Sequence, residues 1–282
     1  MASPLRRWLR RFGAGPGGTW PGTPWAPLPD GPAVCNICHW SGEAFEGVAH
    51  SESATCPSCG AIARDRFLLL CLQRQVTEAP GLAVLETSPR LGDDYRSAMR
   101  SWFDYRCSDY DLSAHRADLK LDLQYLDLPD DSFDVVLSSH VLEHVPDTDR
   151  ALDELYRIIK PGGQLLLMVP VPQGATAPPD EPEYHGDETE VFWRFGPDLT
   201  GPLATRGFDV RLLLTEELQS AVGQGGPLDG EPLYDEVDAV GVIRALTGRE
   251  LTPVASAEAA ERHLIRPSYM FLAWACRVPE SD

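Results

Sequence analysis

Four of the seven cysteines stand in two pairs, Cys35 and Cys38 in CNICH, and Cys56 and Cys59 in CPSCG, giving Cys-x2-Cys, seventeen residues, Cys-x2-Cys. A two-residue spacer lets one tight turn aim both sulfurs at one point, and two such turns supply the tetrahedral four-thiolate shell that Zn2+ prefers. Four protein ligands leave no open position, so the expected ion is structural, and its binding energy would help fold a segment too small for a core of its own. Two disulfides, which a reducing cytosol disfavours, and unligated core cysteines are the other readings. Cys71, Cys107 and Cys276 lie in apolar runs and read as core residues.

A second constellation is carboxylic. Glu86, Asp109 and Asp122 each close a short apolar run, and His140 closes a fourth. In open parallel sheets, ligands sit beyond the carboxyl ends of the strands, where the winding reverses. Three carboxylates converging on such a crevice suit a ligand that offers hydroxyls, an amine or a positive charge, and suit a polyphosphate poorly. One such acid alone would be read as a cap on the next helix.

These residues need elements that bring them together. From Gly81 onward, apolar runs alternate with helical patterns, which argues for a parallel sheet covered by helices, an α/β fold. Strands are expected at 82–86, 104–111, 119–122, 133–140 and 164–171, with helices at 93–102 and 148–163. The second helix places Leu152, Leu155, Ile158 and Ile159 on one face and is expected to stop at Pro161-Gly162-Gly163. Residues 61–76 read as a mostly buried helix tying the cysteine knuckles to the sheet.

The stretch DLQYLDLPDDSFDVVLSSHVLEHVPDTDRALDELYRIIKPGGQLLLMVP resembles the middle of class I S-adenosylmethionine-dependent methyltransferases. That family carries acid-x-x-x-Leu-x-x-Pro, Asp-Ser-Phe-Asp, Leu-Glu-His-Val and Leu-Lys-Pro-Gly-Gly in this order and spacing. The resemblance implies a Rossmann-like seven-stranded sheet, with the last two strands at 207–214 and 269–278, and S-adenosylmethionine as cofactor. Matched by position, Glu86 stands near the cofactor's methionine end, Asp109 at the ribose hydroxyls, and Asp122 and Leu123 at adenine. Ser138, Ser139 and His140 lie beside the sulfonium. The chain departs from the family at Thr87, Ser88, Pro89 and Arg90, where a glycine ladder is expected. Ser88 takes the place of the first glycine, Thr87 and Ser88 still permit fairly close approach, and Pro89 stiffens the turn and removes an N–H. Weaker or differently posed cofactor binding is expected.

Methyl transfer from a sulfonium is a single in-line displacement, so the protein orients two molecules and excludes water. A base helps only where the attacking acceptor carries a proton. His140 and His144 are the catalytic candidates, and His144 reads equally as a packing residue bonded to a neighbouring loop. The polar, proline-rich segment 172–190 is long enough to form a lid bearing His185. Trp193 and Arg194 in VFWRFG are the other candidates for an acceptor pocket. A narrower resemblance, to zinc-ribbon methyltransferases of bacterial glycan and secondary metabolism, implies a sugar or other small-molecule acceptor. The alternatives are an RNA base methyltransferase that grips its substrate with the knuckles, and a non-catalytic cofactor-binding scaffold.

Composition bounds these readings. At 282 residues and 43% hydrophobic the chain can bury one large core with a small appendage. Residues 1–33 read as a basic tail and Gly/Pro-rich linker, 34–78 as a zinc-ribbon-like segment with its connecting helix, and 79–282 as the methyltransferase domain. A formal charge of −19 disfavours phosphate-backbone partners. No apolar run is long enough to span a bilayer and no secretory signal is evident, so a cytoplasmic protein is expected. In residues 1–12, Leu5, Trp8, Leu9 and Phe12 alternate with four arginines, a pattern suited to weak contact with a membrane surface.

Overall fold

The computed structural model describes residues 31–47, 54–79, 81–185, 188–225, 238–265 and 271–281. The amphipathic segment 1–12 and most of the linker fall outside them.

Two short strands, β1 (Ala33–Val34) and β2 (Ser41–Gly42), pair antiparallel around the first cysteine knuckle. Helix α1 (Ala63–Gln75) follows the second knuckle. The central sheet is built from β3 (Ala83–Thr87), β4 (Asp104–Asp109), β5 (Leu119–Lys120), β6 (Phe133–Ser139) and β7 (Ile159–Met168). A small hairpin, β8 (Glu183–Tyr184) and β9 (Glu190–Val191), precedes the remaining sheet strands β10 (Asp209–Thr215), β11 (Leu251–Ala255) and β12 (Ala273–Arg277). Their order is β11-β10-β12-β7-β6-β3-β4-β5, with β12 antiparallel to both neighbours. The expected seven strands are present, and β11 adds an eighth at the edge, parallel to β10. Leu251–Ala255 carries a proline, which an edge position tolerates.

The winding runs from β3 outward through β4 to β5, and from β6 outward to β7, so the switch point lies between β3 and β6. Their register pairs Glu86 with Leu137 and Thr87 with Ser138. This places the ends of both strands side by side at one crevice.

Helix α2 (Asp93–Trp102) lies where expected, and α3 (Leu112–His115) is a single turn after β4. Helix α4 (Thr148–Ile158) starts at Asp147, whose side chain accepts from the Arg150 amide at 3.0 Å, and buries Leu152, Leu155 and Ile158. It ends five residues before the expected stop, because Ile159–Gly163 joins β7. The residue before a proline avoids the helical region. A Cβ at Gly163 would also meet the Asp134 carbonyl at 2.9 Å, so this part of the strand approaches β6 too closely for a side chain.

The sheet divides the core. One face packs α4 together with Leu199, Leu203, Leu218 and Val242 from later segments. The other packs α1, α2 and three of the knuckle cysteines in one continuous cluster that reaches Phe271 and Ala260. The cysteine segment therefore shares the core of the sheet. Arg66, fully buried, fastens it there: its guanidinium donates to the Ala61, Ala54 and His263 carbonyls and lies 3.9 Å over the Phe45 ring. Burial pushes His263 down to about 4, and its Nδ1 donates to the Val34 carbonyl at 2.8 Å.

Candidate functional site

The two knuckles have the same backbone. Gly60 N donates to Cys56 O as His39 N donates to Cys35 O, and both Gly60 and His39 have positive φ. The turns bring Cys35 Sγ to 3.7 Å from Cys59 Sγ, and Cys38 Sγ to 3.6 Å from Cys56 Sγ. All four sulfurs lie within 4.8 Å of one another. A tetrahedron with metal–sulfur bonds of about 2.3 Å has sulfur–sulfur edges of about 3.8 Å. The two close pairs already have the edge length of a four-thiolate shell, and the donor set is the one such an ion takes. Burial pushes the Cys35 thiol up, which a bound cation would reverse.

At the end of β3, Glu86 is buried, and its carboxylate accepts from Tyr105 Oη at 2.6 Å and from Tyr95 Oη at 3.1 Å. Burial raises it to about 7, the two phenol hydrogen bonds acting the other way. Glu86 therefore sits in a tyrosine clamp in the core, with only 6% of its surface exposed. Thr87, one residue on, donates to Ser138 Oγ across the switch point at 3.0 Å.

The glycine-poor turn is held by polar bonds. Ser88 adopts φ 46°, its amide donates to Ser108 O at 2.7 Å, and its hydroxyl donates to Asp109 Oδ2 at 3.0 Å. Asp109 Oδ1 accepts from the Asp111 amide. Arg96 holds the Pro89 carbonyl, and Arg90 pairs with Asp65 in the first turn of α1 at 2.9 Å. Where the resemblance leads one to expect glycines, this chain has a turn stapled to its cysteine segment. Asp122 accepts from the amide and side chain of Gln124, and the neighbouring Leu123 is buried.

Beyond β6 the chain turns sharply at His140, φ 55°, whose amide donates to Met168 O. Ser139 is half-buried beside it. Arg64 Nη1, from α1, lies 3.1 Å from His140 Nδ1. A guanidinium only donates, so Nδ1 accepts and the ring proton is on Nε2. Burial and then the Arg64 charge hold this imidazole well below its ordinary range. His140 is thus a neutral donor through Nε2 and is poorly suited to act as a base.

One turn on, Glu143 is 1% exposed, with Oε1 3.7 Å from His140 Nδ1 and 3.9 Å from His144 Nε2. Its backbone carbonyl accepts from the Phe192 and Trp193 amides. His144 Nδ1 meets the Glu190 carbonyl at 2.6 Å, and the His144 and His185 rings stand edge to face, 4.7 Å between centroids. His185 is carried at the tip of the β8–β9 hairpin, inside the expected lid. Trp193 and Arg194 have structural partners: Trp193 Nε1 donates to Pro146 O, and Arg194 pairs with Glu183 at 2.7 Å.

Residues 92–167 match the family described as a methyltransferase domain. The chain carries a methyltransferase domain over this stretch. The match begins at Gly92, so the altered turn at 87–91 precedes it. Among curated proteins the chain is similar to a ubiquinone/menaquinone biosynthesis C-methyltransferase of Hydrogenovibrio crunogenus, 49% identical over 43 residues, 15% of this chain and 17% of that protein. The corresponding protein of Cellvibrio japonicus is 38% identical over 63 residues, 22% of this chain and 25% of that protein. The chain spans a quarter or less of the length of these relatives. Among solved structures, an S-adenosylmethionine-dependent methyltransferase from Archaeoglobus fulgidus aligns with TM-score 0.43 at 17% identity, covering 76% of this chain and 94% of that one.

Two residues of the candidate site, one in this domain and one on the helix of the cysteine segment, escaped the sequence reading. Glu143 was hidden inside Leu-Glu-His-Val, although buried Leu142 and Val145 on either side of it are a signal that the acid turns inward. Arg64 carried no sequence signal toward His140, because that contact spans 76 residues.

Proposed function

We propose that this chain transfers the methyl group of S-adenosylmethionine to an oxygen or nitrogen atom of a small-molecule acceptor, a sugar or other secondary metabolite. The observation that carries the reading is the convergence of Asp109, Thr87, Ser138 and His140 at the switch point between β3 and β6. In this reading Asp109 holds the ribose hydroxyls, releasing Ser88 as they arrive. Asp122 and the Leu123 amide take adenine, and Ser138, Ser139 and the Nε2–H of His140 line the sulfonium end. Glu86 acts from behind, by fixing the turn between β3 and α2. His144 and His185 stand where an acceptor proton would leave. The hairpin, with Trp193 and Arg194 at its base, covers the acceptor and excludes water.

The four cysteines would hold one structural Zn2+ and so set the position of α1, which delivers Arg64. Residues 34–78 then serve as a zinc-ribbon-like brace for the domain that follows. The charge of −19 favours a small acceptor over RNA. Among the described residues no helix is long and apolar enough to cross a membrane, and we place the protein in the cytoplasm.

Calorimetry with S-adenosylmethionine, followed by a screen of small-molecule extracts for transfer of a labelled methyl group, tests the reading. Saturable binding and label in a low-molecular-weight product are expected. No binding up to millimolar cofactor would favour the scaffold alternative, and label in RNA would favour the other.

A further inference from the structure

We propose that Glu143, His144 and His185 form a divalent-cation site at the acceptor end of the crevice. Resting on the methyl-transfer reading, this narrows the acceptor to a compound whose hydroxyl can bind a metal ion. One ligand atom from each residue lies within 4.8 Å of the others. An ion bound at about 2.1 Å needs ligand atoms about 3 to 3.5 Å apart, and the His144 Nε2–Glu143 Oε1 pair, at 3.9 Å, is already near that spacing.

The hydrogen bonding of His144 points the same way. The Glu190 carbonyl can only accept, so the 2.6 Å contact puts a proton on Nδ1. In the neutral ring Nε2 then presents a lone pair toward the buried Glu143 carboxylate, 3.9 Å away. A lone pair facing a carboxylate is an arrangement that a bound cation can bridge. A backbone carbonyl that fixes the tautomer of one ring nitrogen while the other binds is also the usual outer support of a metal-ligating histidine. His140 is outside the set, because Arg64 occupies its Nδ1. The hairpin carries both His185 and Glu190, so the same element brings one ligand and orients another. Exposed His185 leaves a path of entry.

Two imidazoles and one carboxylate suit Mn2+, Fe2+, Co2+ or Zn2+ better than Mg2+ or Ca2+, and three protein ligands leave positions open. An acceptor hydroxyl bound at an open position loses its proton to solvent at a much lower pH than when free. Its oxygen lone pair then forms the bond to the methyl carbon. The carbon–sulfur bond breaks, its electron pair stays on sulfur, and neutral S-adenosylhomocysteine leaves.

Mn2+, which thiolates take up poorly, distinguishes this site from the four cysteines. The full-length chain, carrying one Zn2+ per molecule by elemental analysis so that only the four thiolates are filled, is titrated with Mn2+, reading the free ion by electron paramagnetic resonance, beside His185→Ala, His144→Ala and Glu143→Gln. The expected result is one Mn2+ per chain, with affinity falling about tenfold or more in each variant. His185 is exposed, so His185→Ala keeps the fold, which circular dichroism checks. An absence of Mn2+ binding up to millimolar, or His185→Ala binding as tightly as the parent, overturns the site. Cofactor calorimetry on the same samples separates the two claims: cofactor binding without Mn2+ binding overturns only the metal site, and the reverse overturns only the methyl-transfer reading.

Discussion

Arg64 Nη1 lies 3.1 Å from Nδ1 of His140, so a helix belonging to the cysteine segment reaches the turn that ends the central strand of the sheet. The contact couples the cysteine segment to the crevice and fixes a histidine tautomer there. Replacing Arg64 with Met removes a charge and a donor but keeps the packing of the stem. The His140 pKa, held well below 6.5 by burial and Arg64, should rise in Arg64→Met and still stay under the ordinary value, because burial is the larger cause. Histidine-selective NMR titration reads this, and an unmoved resonance would sever the link between the two parts.

Arg66, on α1, and Arg90, which pairs with Asp65 of the same helix, should behave differently on truncation. Arg66 is fully buried and serves three backbone carbonyls, so Arg66→Met leaves acceptors stranded and should cost roughly 3 kcal/mol or more. Arg90 is 37% exposed in its pair with Asp65, and Arg90→Met should cost about 1 kcal/mol or less. Denaturant midpoints of the two variants make the comparison, with equal losses counting against the brace described for α1.

Glu86 gives the molecule a pH signature. Its carboxyl is raised from 4.5 to about 7, chiefly by burial, so the folded chain keeps a proton that the unfolded chain has lost. The group's contribution to stability is full below about pH 4.5 and is lost as pH climbs through about 7. The difference amounts to about 3 kcal/mol at about 1.4 kcal/mol per unit. Glu86→Gln mimics the neutral form. Its stability relative to the parent should improve steadily between pH 5 and pH 8 in denaturant titrations, and a constant difference across that range would show that the parent carboxyl is already ionised at pH 5.

Much of this arrangement was legible in the sequence, for identifiable reasons. The cysteine spacing constrained the knuckles because a two-residue turn permits few sulfur positions. Helix Asp93–Trp102 and strand Phe133–Ser139 lay close to their expected bounds, since amphipathic period and continuous burial are local signals. The early end of the helix at Ile158 was obscured because Ile159 continues its apolar spacing while the backbone already pairs with Phe133. What could not be read was long-range. Tyr95 and Tyr105 closing over Glu86, and Arg64 reaching His140, depend on side chains brought together by the whole sheet.

The altered turn itself offers the last test. Ser88 holds a left-handed backbone, which for a residue with a Cβ costs about 1 kcal/mol, and its hydroxyl occupies Asp109 Oδ2. Ser88→Gly relieves the strain but frees the unfolded chain and deletes a hydrogen bond worth about 1 kcal/mol, so stability should change little. Both Ser88→Gly and Ser88→Ala remove the hydroxyl's hydrogen bond to Asp109 Oδ2, and only Ser88→Ala retains the strain. If the serine competes with the ribose hydroxyls, both variants bind S-adenosylmethionine more tightly than the parent in calorimetry, the glycine variant most. Weaker binding in both would mean that the Ser88 hydroxyl is itself a cofactor contact, and that this chain has replaced a backbone cradle with a side-chain one.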